Sequence, residues 1–114
     1  MNDENSIDVA VIETLKGLMK DKFNFLIDTF IDNANTQLEQ LQTAIDNNES
    51  KDIIALTHSI KGSSGSVGAS KMHILSKGYE EMARNDNFTD KESWANKLKD
   101  EYEIYKQAVQ SHLQ

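Results

Sequence analysis

His58-Ser59-Ile60-Lys61-Gly62-Ser63-Ser64-Gly65-Ser66-Val67-Gly68 reads as the second half of a helix with two opposed faces. At about 100° per residue, Ile53, Leu56, Ile60, Ser64 and Val67 fall in one sector, the stripe of a buried face. His58 falls roughly 180° from the centre of that sector. Ala55, Gly62 and Gly65 flank it on the outer face, with Lys61 to one side. The spacing therefore predicts an imidazole held out to solvent among residues with almost no side chain.

Two glycines inside an exposed helix forgo about 2 kcal/mol relative to alanine, a large part of the roughly 5–15 kcal/mol that stabilises a domain. Close approach of another macromolecule to the imidazole is a use that offsets this loss. Glycine pairs also mark loops, but the apolar spacing continues through Ser64 to Val67. It favours a helix running to about Gly68.

The order His-x-x-Lys-Gly-x-Ser/Ala-x-x-x-Gly, carried by His58, Lys61, Gly62, Ser64 or its neighbour Ser63, and Gly68, resembles the histidine-containing phosphotransfer (HPt) domain of bacterial multistep phosphorelays. Leu56, Ile60, Gly68-Ala69, Leu75 and Glu80 also fit that pattern. Gly78-Tyr79 departs from it and should loosen its helix slightly. Ile60 to Gly68 is especially similar to the HPt module of Arc-type hybrid sensor kinases. The resemblance implies phosphorylation on His58, orientation of the phosphoryl group by Lys61, and steric access at Gly62. It also implies receiver domains as partners, one donating from an aspartyl phosphate and another, in a response regulator, accepting.

Composition bounds the alternatives. A chain of 114 residues makes one domain with a self-supporting core. Residues 1–6 read as a flexible tail and 7–114 as the domain. Without cysteine there is no thiol redox chemistry and no thiolate metal site. The polar, acidic start lacks the marks of a signal peptide, and no apolar run is long enough to span a bilayer. A cytoplasmic, monomeric protein is expected. A net charge of −7 repels phosphate backbones and acidic lipid surfaces, which argues against nucleic acid and membrane partners.

Along the chain the periodicity gives five helices. Ser6 is placed to cap the first, with Ile7, Val11, Leu15 and Leu18 along one side. The second starts near Asp21, carries Phe23, Ile27, Phe30, Ala34, Leu38, Leu41 and Ile45, and stops in the turn-forming Asp46-Asn47-Asn48. The third is the His58 helix. A fourth, from about Ser70 to Asn85, aligns Met72, Leu75, Tyr79 and Met82. Thr89-x-x-Glu92 reads as a capping box opening a fifth with Trp94, Leu98, Tyr105 and Val109. With no proline to break them and short joints between them, the helices should form an all-α antiparallel four-helix bundle. The short first helix should pack across one end, which the resemblance also implies.

The chemistry can be argued from the residues themselves. Neutral imidazole is a good nucleophile, and an ordinary value near 6.5 leaves roughly nine-tenths of it neutral at pH 7.5. Lys61, one turn on, would face a transferred phosphoryl group with an attraction of about 1 kcal/mol on an exposed surface. Phosphoryl transfer also needs a metal to spread charge. The chain shows no carboxylate cluster to hold one, so no cofactor is expected on it, and Mg²⁺ should come with the partner receiver. Ile54, Ala55 and Gly65 are the candidate docking residues, with Leu26 and Ile31 at the edge of that surface.

Other motifs fit less well. Gly62 to Gly68 lacks the Gly-Lys-Ser/Thr order and the preceding strand of a phosphate-binding loop. No serine has the glycine spacing of a nucleophile elbow, and His58, His73 and His112 match no zinc spacing. Nothing resembles a kinase or receiver domain, so a phosphocarrier would lack kinase or hydrolase activity of its own. The competing function is a helical adaptor that binds a receiver without carrying phosphate.

Overall fold

The computed structural model describes residues 6–114. Helix α1 (Val9–Met19) leads through a 3-10 turn at Lys20–Lys22 into α2 (Phe23–Asp46), followed by α3 (Ser50–Ser66), α4 (Ser70–Arg84) and α5 (Lys91–Gln110). No strand occurs among the described residues. The molecule extends 41 × 26 × 19 Å.

The long stripe of α2 organises the core. Phe23, Ile27, Phe30, Ala34, Leu38, Leu41 and Ile45 are all buried, joined by Ala44. From α5, Trp94, Leu98, Tyr105 and Val109 close the core from the opposite side. Phe30 meets the Tyr105 ring edge-on at 5.4 Å, and Trp94 stacks on Tyr79 at 5.0 Å. Such ring pairs add about 0.5–1.5 kcal/mol each beyond burial. Helices α2 to α5 pack in a closed cycle, α2 on α3, α3 on α4, α4 on α5 and α5 on α2, with α3 and α4 in the most extensive contact. Neighbours run antiparallel: the Tyr102 hydroxyl donates to the Ile31 carbonyl, and Lys91 at the start of α5 bonds Asn48 at the end of α2. The four-helix bundle expected from the sequence is therefore the observed fold.

The α2–α3 and α4–α5 joints each use a left-handed residue, Asn48 at φ 56° and Asp86 at φ 60°, side chains that tolerate that region better than most. At the α3–α4 joint Gly68 takes φ +73°, where only glycine is free of strain. Its carbonyl accepts from the Asp8 amide at 2.8 Å, and a Cβ there would lie 3.1 Å from both the Asp8 carbonyl and Ile12. Helix α1 thus seats directly on the turn that ends α3.

Four sequence expectations change. Ser6 does not cap α1: Asp8 does, accepting from Val11, while the buried Ser6 hydroxyl donates to Glu101 at 2.8 Å. Ser6 thus belongs to the folded domain, and the rest of the expected tail, residues 1–5, lies outside the described residues. On α1 the core residue is Ile12, whereas Leu18 is 75% exposed and Val11 and Leu15 are half-buried, so the helix buries a different side from the expected stripe. The capping box does not form, since Asp90 precedes α5 without a side-chain cap bond. Finally, α3 buries Ile53, Thr57, Ile60 and Ser64, and α4 buries Met72, Ser76, Tyr79, Glu80 and Ala83, while Leu56 and Leu75 are only half-buried and Met82 is exposed. The α3 stripe is turned by roughly 30° and the α4 stripe by roughly 60° from the purely apolar pattern. Thr57 can be buried because its hydroxyl donates back to the Ile53 carbonyl at 2.9 Å, leaving no polar atom unpaired.

Candidate functional site

The rotation of α3 brings His58 to about 130° from the centre of its buried stripe instead of opposite it, so the imidazole leans toward α4. The side chain remains 62% exposed. Across the helix pair, the rotation of α4 places Glu80 at the margin of its own stripe, with its side chain only 5% exposed. The two meet at 3.0 Å, His58 Nδ1 to Glu80 Oε2.

Glu80 is a hub for three donors. Its Oε1 accepts from Lys61 Nζ at 2.7 Å, and its Oε2 from Arg84 Nε and a second guanidinium nitrogen, each at 2.8 Å, besides His58. Burial of the carboxyl pushes its pKa up, but hydrogen bonds from Lys61, Arg84 and His58 outweigh burial and hold it at about 2. At neutral pH Glu80 is therefore an acceptor only. The proton of the His58 pair must then reside on Nδ1, which leaves the lone pair of a neutral imidazole on Nε2, the nitrogen turned away from the carboxylate.

Lys61 is half-buried at 28%, drawn over Glu80 rather than extended into solvent. Its backbone carbonyl accepts from His73 Nδ1 at 2.8 Å, which ties α4 to the same turn of α3. Gly62, one turn after His58, is exposed, and a Cβ there would meet nothing within 4 Å. That space is open to an approaching surface. Gly65 differs: its Cβ would lie 3.0 Å from His73 Nδ1, so its missing side chain makes room for this chain's own histidine. Gly65 is itself exposed, so the absent side chain also lets α3 and α4 pack closely at this point. Ala55 is exposed, while Ile54, Leu26 and Ile31 are half-buried against the core.

His73 is a cross-helix tie, and His112 pairs with Glu13 at 3.2 Å. Glu80 and Arg84 were not among the expected site residues. Their signal was weak: a glutamate and an arginine at i, i+4 on a polar helix read as a solvated pair, and only the packing of α4 against α3 buries Glu80, while Arg84 stays more than half exposed. Gly78 sits within an unbroken α4. Among the described residues no group of three or more His, Cys, Asp or Glu side chains is placed to hold a metal ion, and no helix is long and apolar enough to cross a membrane.

A helical bundle that presents one imidazole on an open surface, with its tautomer set by a buried carboxylate, is built to carry a group rather than to enclose a substrate. The comparisons with known proteins agree. The Hpt domain family model matches residues 26–108, most of the chain, and the protein belongs to the Hpt domain family, whose role is that of a phosphocarrier in phosphorelays. Histidine-containing phosphotransfer protein B of Pseudomonas aeruginosa PAO1 superposes with a TM-score of 0.90 over 95% of both chains at 24% identity. A rice protein assigned as a histidine-containing phosphotransfer protein superposes with a TM-score of 0.67, at 19% identity over 97% of this chain and 88% of that one. At such identities the likeness is one of fold. No curated protein sequence matches this one significantly.

Proposed function

We propose that His58 is the phosphoryl-accepting residue, taking the group through Nε2 from the aspartyl phosphate of a receiver domain in a hybrid sensor kinase and passing it to the receiver of a response regulator. The observation that carries this reading is the His58–Glu80 contact at 3.0 Å on an otherwise exposed imidazole. It supplies the nucleophilic tautomer without blocking the reacting nitrogen. Lys61 orients the transferred group, and Gly62 lets the partner surface come close enough for in-line attack. Ala55 and Ile54 extend the contact surface toward the start of α3.

Mg²⁺ and the acidic pocket belong to the receiver in this reading. The chain acts as a monomeric cytoplasmic shuttle without kinase or hydrolase activity of its own. The Arc-type likeness of Ile60 to Gly68 makes a hybrid kinase of that type the first donor to try. The test is to mix the protein with phosphorylated receivers and Mg²⁺ and to follow label onto wild type and His58→Gln. Acid-labile, base-stable label on wild type alone supports the carrier. Binding without label on wild type would instead favour an adaptor.

A further inference from the structure

The reach of Glu80 extends to the phosphorylated state. When Nε2 attacks the phosphorus of an aspartyl phosphate, the Nε2–P bond forms, the P–O bond breaks, and the carboxylate leaves with the bonding pair. The ring, with a proton on Nδ1 and phosphorus on Nε2, then carries a formal positive charge. On transfer onward an aspartate oxygen forms the new P–O bond, the Nε2–P bond breaks, and its pair returns to Nε2. If Nδ1 keeps its proton throughout, the departing ring is neutral imidazole and neither step moves a proton. If that proton is lost, the leaving group becomes imidazolate, a far stronger base and a poor leaving group.

We propose that Glu80 is a positioning residue that keeps Nδ1 of the phosphorylated His58 ring protonated, holding the phosphoryl group in its transferable form across the neutral and mildly alkaline range. A fixed, nearly buried carboxylate 3.0 Å from Nδ1 lies where the positive charge develops, and it needs no rearrangement to stabilise it. The charged groups facing the ring are Glu80 and Arg84 from α4 and Lys61 from α3 itself. The other titratable neighbour, His73, has its Nδ1 engaged by the Lys61 carbonyl. Helix α2, also packed on α3, meets this stretch through the neutral pair Gln37 and Ser59. Arg84 and Lys61 oppose a positive ring, but both are directed to the same carboxylate. Once a phosphoryl group is present, Lys61 gains a second anion to share.

This inference rests on His58 as the phosphorylated residue, and its test separates the two claims. ¹⁵N-labelled protein is phosphorylated with phosphoramidate, a small-molecule donor that needs no receiver, and the ring nitrogens of phospho-His58 are followed by NMR against pH. Assignment comes from the signals lost in His58→Gln. The wild-type ring should stay protonated at least about one pH unit higher than the ring of Glu80→Gln, a tenfold difference in proton affinity. Transfer to a receiver should stay flat with pH in wild type and fall above the lower midpoint in the variant. Arg84→Gln, a change at a half-exposed side chain, should move the midpoint upward, so the prediction stands even if Glu80→Gln folds poorly. Equal midpoints in wild type and folded Glu80→Gln, or a downward shift in Arg84→Gln, would overturn the inference. Failure of every receiver to label His58, with the titration as described, would instead count against the carrier function alone.

Discussion

Glu80 holds His58 by Nδ1 at 3.0 Å and Lys61 by Nζ at 2.7 Å, so one nearly buried carboxylate engages both the exposed imidazole and the cation beside it. In the proposed function this contact fixes the tautomer of the histidine and leaves Nε2 to solvent and to the partner.

That carboxylate also ties stability to pH. Its folded value of about 2 lies below the ordinary 4.5, so its contribution is complete above the ordinary value and is lost as pH falls through the folded one. The size is about 1–2 kcal/mol, because His58 and Arg84 are more than half exposed and solvent screens their share. Urea unfolding of wild type should show this loss between about pH 4.5 and 2, and the same titration of Glu80→Gln should lack that portion. Parallel curves would show that the ion pairs contribute nothing net.

Gly62→Gln should separate folding from transfer. The position is helical with free space around it, so the variant should gain roughly 0.5–1 kcal/mol in denaturant unfolding. Phosphoryl transfer from a receiver should nevertheless fall by about tenfold or more, as a side chain at the contact displaces the reacting atoms. Wild-type rates would remove the close-approach argument.

Lys61→Ala should slow transfer by about fivefold, the equivalent of about 1 kcal/mol for an exposed ion pair. Single-turnover labelling measures this directly. Complete loss of labelling would assign the lysine a larger share than an orienting role.

Gly68→Ala tests the seat of α1. A left-handed φ and a Cβ 3.1 Å from the Asp8 carbonyl together should cost about 2 kcal/mol or more, measured as a lowered urea midpoint. Phosphotransfer should survive in the folded fraction, because the joint lies beyond the His58 turn.

The legible parts of the sequence were those governed by periodicity. All seven apolar positions assigned to α2 are buried, and so are the four assigned to α5, because long stripes average out single exceptions. Short helices with polar residues in their stripes were misread in rotation. Thr57 and Ser76 count as polar in any hydropathy pattern yet lie fully buried; the Thr57 hydroxyl bonds its own helix backbone, whereas the Ser76 hydroxyl is buried without a hydrogen-bond partner. His58 and Gly62 could be found because a motif and an exposed face coincide there. Glu80 could not be assigned a role from spacing, since its partners lie 22 residues away on α3 as well as one turn along α4. The contact beside Gly65 was hidden for the same reason: what lies next to it is His73, from another helix.

The most direct test of the central claim is to phosphorylate the ¹⁵N-labelled protein with a phosphorylated receiver and Mg²⁺ and locate the phosphorus on the ring by NMR. The account predicts a single phosphohistidine at His58, linked through Nε2, and none in His58→Gln. A phosphoryl group on Nδ1, or label that persists in His58→Gln, would contradict it.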